Sequence, residues 1–365
     1  MRALVLTGPG QAEVQDVPAP VAAAGQVVVD VERVGVCGTD VELFTGEMSY
    51  LHTGASSYPL RPGHEWAGVV SSTGEGVDPA WVGRRVTGDT MIGCGRCRRC
   101  LSGRHHVCPD RHELGIRDGL PGALAEQLAV PLTSLHALPD TMDATLGALV
   151  EPGGNALRSV NAAAPAPGER LLILGTGAIG MLAALFARAA GARVHLMGHD
   201  PAQLHLAASF GVDGVWTRDT LPALPWDAVI DASNSPALPA LALDLVEPAG
   251  RVVYIGLAGT PSTVDTRDIV LKDVTTIGIL GASAGLPGAI AAYADGSVDP
   301  TPLVAATIAL EEVAAVLGGH LPDRRGPGPK FLVAPQRKRP DVTQNGFSFG
   351  GRSRSPGAAC TPSPQ

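Results

Sequence analysis

Four cysteines, Cys94, Cys97, Cys100 and Cys108, fall within the stretch "CGRCRRCLSGRHHVC". Four thiolates at this C-x2-C-x2-C-x7-C spacing suit a tetrahedral zinc site, structural because the protein fills every coordination position. Such a centre is anionic, and Arg96, Arg98, Arg99 and Arg104 stand around it in the sequence to offset the charge. Two disulfides are the bland alternative, but clustered cysteines in a cytosolic chain more often bind metal. A nucleic-acid zinc ribbon is the other rival. The arginines favour it locally, while the single lobe and the net charge of −8 oppose it.

A second group is scattered. Cys37 lies in "VGVCGTDVE", His64 in "PLRPGHEWAGVV" and Glu151 in "ALVEPGGNAL". A zinc that does chemistry takes about three Cys, His or carboxylate ligands and keeps one position open. Thiolate, neutral imidazole and one carboxylate balance a divalent ion. A second carboxylate would make the centre anionic and oppose deprotonation of a bound hydroxyl. Glu151 is the candidate for the third ligand and Glu65 for a supporting or transient one beside His64, and which of the two is the ligand at rest stays open.

"LLILGTGAIG" carries Gly175, Gly177 and Gly180 as G-x-G-x-x-G between a strand and a helix. That context suits a dinucleotide: the glycines give a tight turn, room for the pyrophosphate and close helix packing. The acid that holds the ribose normally ends the second strand, here "RVHLMGHDP". The strand end falls at Gly198 or His199, and Asp200 comes a step later. A missing acid removes the rejection of a 2′-phosphate, which His199 could contact. Asp200 could serve NAD if the strand runs longer, so NAD and NADP both stay open, as does His199 as a plain loop residue.

These groups need a scaffold. The chain has 365 residues, 45% of them hydrophobic, enough for two domains. "RALVLTG", "GQVVVDVERVGV", "WAGVVSSTG" and "AEQLAVP" read as short strands bounded by turn residues. The composition breaks at "NAAAPAPGER". Beyond it "RLLILGTGAIGMLAALFARAAGARVHLMG" reads as strand, helix, strand, and "WDAVIDAS" and "GRVVYIGL" as buried parallel strands. "GPKFLVAP" reads as a last strand. The expected division is a β-rich domain over 1–160 and 286–335, with the lobe at 94–108 projecting from it, and a doubly wound α/β domain over 161–285. Residues 336–365, rich in Ser, Gly, Pro and Arg, are expected to be a disordered tail. No apolar run spans a bilayer and "MRALVLTGPG" has no signal core. A cytoplasmic protein is expected, with neither membrane nor nucleic acid as partner.

Cys37-Gly38-Thr39-Asp40, Gly63-His64-Glu65 with Gly68 and Val70, the cysteine lobe, "GALAEQLAVP", Glu151-Pro152 and the glycine turn follow one another in a distinctive order. In these features, up to about residue 335, the chain resembles the zinc-containing medium-chain alcohol and polyol dehydrogenases. The resemblance implies a GroES-like β-rich catalytic domain with a Rossmann parallel-sheet domain inserted into it. It also implies two zinc ions per chain, NAD or NADP, and oxidation of a zinc-held alcoholate. Cys37 and His64 match the family's zinc ligands, and Thr39 matches the hydroxyl that relays the alcohol proton. Glu151-Pro152 matches the polyol, threonine and sorbitol members, which carry Glu-Pro where others have a second cysteine.

Zinc lowers the pKa of a bound hydroxyl, and hydride then passes to the nicotinamide. Glu42 stands where many relatives have the histidine that ends the proton relay. Sugar-oxidising members also carry it, so it points to a polyhydroxylated substrate. The glycines of "EPGGNALRS" replace bulkier residues and are expected to widen the pocket wall. "PGHEWAG" and "ELGIRDG" resemble the members that oxidise 2-deoxy-scyllo-inosamine to a ketone in aminoglycoside antibiotic biosynthesis. The expected substrate is a small polyol or aminocyclitol, with sugar, sorbitol or threonine-type dehydrogenation as alternatives. A non-catalytic scaffold relative is the reading from another class. Homologous enzymes are dimers or tetramers, so a homodimer or homotetramer is expected. Trp66 is expected to pack in the core, His52, His105, His106 and His112 to lie at the surface or a pocket rim, and Cys360 to be a free thiol in the tail.

Overall fold

The computed structural model describes residues 1–322 and 326–337. The tail from 338 onward, with Cys360, lies outside the described residues. The apolar run of "QVVVDVERVG" forms the strand Gln26–Gly35 at the heart of a seven-stranded sheet. Glu65–Thr73 and Gln127–Pro131 pair with it antiparallel, and Arg85–Gly88 and Leu135–Ala137 extend the sheet beyond Glu65–Thr73. Lys330–Val333, from the far end of the chain, closes antiparallel onto the same strand, with Leu332 opposite Gly35 and Val333 opposite Val34. Val304–Ile308 follows it in parallel. Leu4, Leu6, Val29, Val31, Leu43, Trp66 and Leu124 share this sheet's core, and Trp66 is fully buried.

The second sheet has six parallel strands. In spatial order they are Gly214–Trp216, Arg193–Met197, Arg170–Leu174, Trp226–Asp231, Val246–Tyr254 and Thr275–Gly278. Counted along the chain this is 3-2-1-4-5-6, the doubly wound dinucleotide-binding order. Strands such as "RLLIL" are apolar throughout because both faces of a parallel sheet are covered.

Helices Val150–Ala163 and Leu286–Ala294 bury Ala156, Val160, Leu286, Ala289 and Tyr293 in the core that these strands share with helix Ala178–Ala189. Helices Val150–Ala163 and Leu286–Ala294 thus pack on the nucleotide unit from either side of it in the chain. Gly153 and Gly154 serve this packing. A Cβ on Gly153 would lie 2.1 Å from the Tyr293 hydroxyl, and one on Gly154 3.0 Å from Ala282 Cβ. The glycines close a helix contact, which corrects the expectation that they widen a pocket wall. Their roles follow from what crosses the helix, which lies far along the chain.

Candidate active site and metal centres

Cys37 follows the strand Gln26–Gly35 and caps helix Gly38–Thr45. Asp40, fully buried in that helix, ties two segments together. Its Oδ2 accepts the Cys37 N–H at 2.9 Å and its Oδ1 accepts the Gly63 N–H at 3.1 Å. The same Oδ1 lies 3.7 Å from His64 Nδ1, a buried ring nitrogen with no hydrogen-bond partner among the described residues. A carboxylate behind a histidine sets its tautomer and leaves the other nitrogen for a metal. Asp40 stands in the quoted "CGTD" stretch, but its second partner is Gly63, which only the fold brings near.

Glu65 opens the strand Glu65–Thr73 opposite Gly35. A Cβ at Gly35 would sit 2.1 Å from Glu65 Oε2, so the glycine makes room for the carboxylate. Lys330 Nζ, itself 3% exposed, donates to Glu65 Oε1 at 2.5 Å and to the Val36 carbonyl at 3.0 Å. Burial works against the Lys330 cation, but Glu65, Cys37 and Glu151 outweigh it and hold its pKa above the usual lysine value. Sequence reasoning missed Lys330; only its rarity, three lysines in the chain, marked it.

Cys37, His64 and Glu65 offer ligand atoms that all lie within 4.8 Å of one another. Glu151, buried at the start of helix Val150–Ala163, stands outside that group. Asn155 Nδ2 donates to Glu151 Oε1 at 2.9 Å, and burial pushes the carboxyl up to about 7. The sequence reading placed Glu151 in the group and Glu65 beside it; among the described residues the ligand atoms that gather with Cys37 and His64 are those of Glu65. Lys330 supplies a buried cation beside Glu65 that a charge count along the chain leaves out.

Thr39 and Glu42 share one face of helix Gly38–Thr45 at i, i+3, while Asp40 and Leu43 face the core. Loss of water around the Glu42 tip, and then the like charge of Glu47, hold its carboxyl above the usual range.

The four cysteines of the lobe form no disulfide among the described residues. Their sulfurs gather within 4.8 Å of one another, with Cys97 to Cys108 at 3.7 Å and Cys94 to Cys100 at 4.0 Å. Zinc–sulfur bonds of ~2.3 Å in a tetrahedron give sulfur separations of roughly 3.8 Å, so the donors fit zinc. Backbone N–H groups point at the sulfurs and lower the Cys94 thiol to about 6. His105 Nε2 bonds Asp89 Oδ2 at 2.7 Å. His52 and His112 are exposed, but His106 is buried, which corrects its expected place at the rim. Arg158 Nη2 reaches its Nε2 at 3.4 Å and Arg158 Nη1 the Leu280 carbonyl at 2.6 Å, so the lobe is seated on helix Val150–Ala163.

At the glycine turn, Gly175 has φ +111° and packs against Ala232, while a Cβ on Gly180 would lie 2.0 Å from the Gly175 carbonyl. Nothing lies within 4 Å of a Cβ built on Gly177, which heads helix Ala178–Ala189. The middle glycine therefore faces open space at a helix N-terminus, as a bound pyrophosphate requires. His199 is exposed after the second strand, and Asp200 caps helix Pro201–Ser209.

Residues 23–140 match the family model of the alcohol dehydrogenase GroES-like domain, and 178–295 that of the zinc-binding dehydrogenases. An L-threonine 3-dehydrogenase of Saccharopolyspora erythraea is 33% identical over 293 residues, 77% of this chain and 84% of the relative. A protein described as a short-chain alcohol dehydrogenase of Escherichia coli CFT073, solved with NADH, superposes at TM-score 0.84 with 26% identity, over 92% of this chain and 99% of that one. A zinc-binding dehydrogenase of Sinorhizobium meliloti 1021 solved with NADP gives 0.83 and 29%, also over 92% and 99%. With both domains matched and the metal and dinucleotide donors in place, the chain belongs to the zinc-containing medium-chain dehydrogenases and is a zinc-dependent, NAD(P)-linked oxidoreductase.

Proposed function

We propose that this enzyme oxidises a secondary alcohol of a polyol or aminocyclitol to a ketone. Cys37, His64 and Glu65 hold the reactive zinc, and Cys94, Cys97, Cys100 and Cys108 hold the structural one. The observation that carries the reading is the buried group of Cys37, His64 and Glu65 with Lys330 behind its carboxylate. Zinc at these ligands supplies acidity to a bound hydroxyl. The rest falls to the chain. Asp40 orients His64 and the Cys37 backbone, and Lys330 holds Glu65 in place. With Lys330 counted, thiolate, imidazole and two carboxylates around a divalent ion are neutral in sum, so Glu151 can share the site without making it anionic. Thr39 takes the substrate proton and passes it along its helix face to Glu42. The glycine turn at 175–180 would hold the NAD(P), which would supply the hydride acceptor.

Glu42, with Glu47 near enough to affect it, gives that helix face a negative character suited to hydroxyls or an ammonium group. This supports the aminocyclitol 2-deoxy-scyllo-inosamine, and with it a place in antibiotic biosynthesis. Similarity to an L-threonine 3-dehydrogenase supports the threonine-type alternative, beside sugars and sorbitol. Among the described residues no helix is long and apolar enough to cross a membrane. We place the enzyme in the cytoplasm as a homodimer or homotetramer acting on a small molecule.

The test is NAD(P)H formation across aminocyclitols, polyols, sugars and L-threonine. Turnover of the aminocyclitol is the expected outcome. Turnover confined to glucose, sorbitol or threonine would replace the substrate, and none on any alcohol would overturn the reading.

A further inference from the structure

The first hairpin, Arg2–Gly8 paired with Gln11–Asp16, borders a cavity that the site described above does not use. The segment 56–61 and the loop 115–121 form its other walls, and its volume is about 310 Å3. That lies at the small end of ligand pockets, ~300–1,000 Å3. None of Cys37, His64, Glu65 or Glu151 lines it. Its walls are tied to one another. Leu6 and Leu60 exchange backbone hydrogen bonds at 2.8 and 3.0 Å. The Gly122 N–H donates to the Arg61 carbonyl at 2.8 Å, and the Asp118 N–H to the Ala55 carbonyl at 2.8 Å. A Cβ on Gly122 would lie 2.3 Å from the Pro62 carbonyl, so the loop packs backbone to backbone on the segment that leads to His64.

Arg61 and Arg117 both line this cavity, and both are half-buried. Among the described residues Arg61 enters no ion pair. Burial alone holds its pKa below the usual arginine value, with neither a charge nor a hydrogen bond to offset it. Arg117 stands over the Tyr50 ring, 5.5 Å from its centre, and its buried Nε has no hydrogen-bond partner among the described residues. No Asp or Glu lines the cavity. Of the acids on its wall segments, Glu113 accepts from the Tyr50 hydroxyl at 3.0 Å and from Arg111 Nε at 2.8 Å. Glu13 accepts from Gln15 Nε2 at 3.2 Å, and Asp16 is on the other face of its strand from Gln15. Asp118 stands between two cations, its Oδ2 3.4 Å from Arg117 Nε and 3.5 Å from His112 Nδ1. One cation at the cavity is therefore unneutralised and a second only partly neutralised.

We infer that this cavity binds the phosphate group of a small molecule, with Arg61 and Arg117 as the side chains that receive it. A guanidinium presents paired N–H donors that match two phosphate oxygens, and a dianion suits two cations better than a single carboxylate does. Val5, Leu60, Ile116 and Leu120 give the same cavity apolar wall for an organic portion of the ligand. The site needs neither the zinc ligands nor the glycine turn, so it stands apart from the dehydrogenase reading.

Calorimetry on the zinc-loaded enzyme tests it, with reduced coenzyme at saturation so that the glycine turn is filled. Phenyl phosphate and inorganic phosphate are the probes. Phenyl phosphate should bind with Kd below ~1 mM, and more weakly as salt rises. Tighter binding of the phenyl ester than of inorganic phosphate makes the natural ligand an organic phosphate; equal affinity makes it phosphate itself. Arg61→Gln should weaken binding at least about 10-fold, and Arg117→Gln should weaken it too, while coenzyme affinity and zinc content stay unchanged. Arg61→Lys keeps the charge without the fork and should lose less. Arg61 has no side-chain partner in the fold, so its loss should leave folding intact. Phenyl phosphate should accordingly raise the thermal midpoint of the parent enzyme and leave that of Arg61→Gln where it is. No binding to the parent enzyme would overturn the inference. So would binding that survives Arg61→Gln unchanged, because the anion would then sit at the zinc or elsewhere. Either result leaves the dehydrogenase reading intact.

Discussion

Lys330 Nζ sits 2.5 Å from the carboxylate of Glu65, and 265 residues of chain separate the two. Both side chains are almost wholly buried, at 3% and 1% exposure. Removing one partner of such a pair leaves an uncompensated charge in the interior. Lys330→Met should lower unfolding stability by about 3–5 kcal/mol and cut turnover. Adding Glu65→Gln should restore much of the stability and none of the activity. Thermal unfolding of both variants checks this; an unshifted midpoint in Lys330→Met would contradict it.

Glu65 and Glu151 compete for one role, and metal content separates them. Glu65→Gln should reduce zinc from two ions per chain to one. Glu151→Gln should retain two and lose turnover. Elemental analysis of the purified proteins decides, and the opposite pattern would return Glu151 to the ion.

The lobe can be lost separately. Cys97→Ser breaks the four-sulfur set, so one zinc should leave while the reactive zinc stays. The midpoint of unfolding should drop, because a structural metal contributes its binding free energy to folding. Retention of both ions would refute a four-cysteine site.

Gly153→Ala puts a methyl 2.1 Å from the Tyr293 hydroxyl. Overpacking of this kind costs about 1–3 kcal/mol. Tyr293→Phe removes the crowded oxygen and should recover part of the loss in the double variant, at the expense of the hydrogen bond to the Leu149 carbonyl. A neutral Gly153→Ala in chemical denaturation would mean the helices can part there.

The hydrogen bond that His105 donates to Asp89 raises the pKa of the partly exposed His105. A raised folded-state pKa contributes stability that is fully present below the ordinary histidine value and lost as pH rises through the raised one. The lobe should therefore loosen slightly from about pH 6.5 upward, and Asp89→Asn should remove that dependence. Amide exchange of residues 94–108 followed with pH would show it, and identical profiles in both proteins would exclude it.

Features that depend on neighbours in the chain were legible in advance. The cysteine lobe is one short loop, and its donors need little beyond that loop to meet. The glycine turn is local too: Gly180 is excluded from bearing a side chain by Gly175, five residues away. Asp40 was half legible, since its bond to Cys37 spans three residues but its bond to Gly63 spans 23. Glycines 153 and 154 could not be read, because what they accommodate is Tyr293 on another helix and Ala282 just ahead of that helix.

The amino-acid sequence by itself determined the family, the two metal chemistries and the presence of a dinucleotide turn, since residue types at short spacing carry these. Which carboxylate joins Cys37 and His64 was left to the tertiary structure. A charge count along the chain disfavoured Glu65, because it could not see the cation that neutralises it. Only when the strand Lys330–Val333 closes against Gln26–Gly35 does Lys330 reach Glu65, and the electrostatic balance of a buried site is set by what the fold brings within a few ångströms.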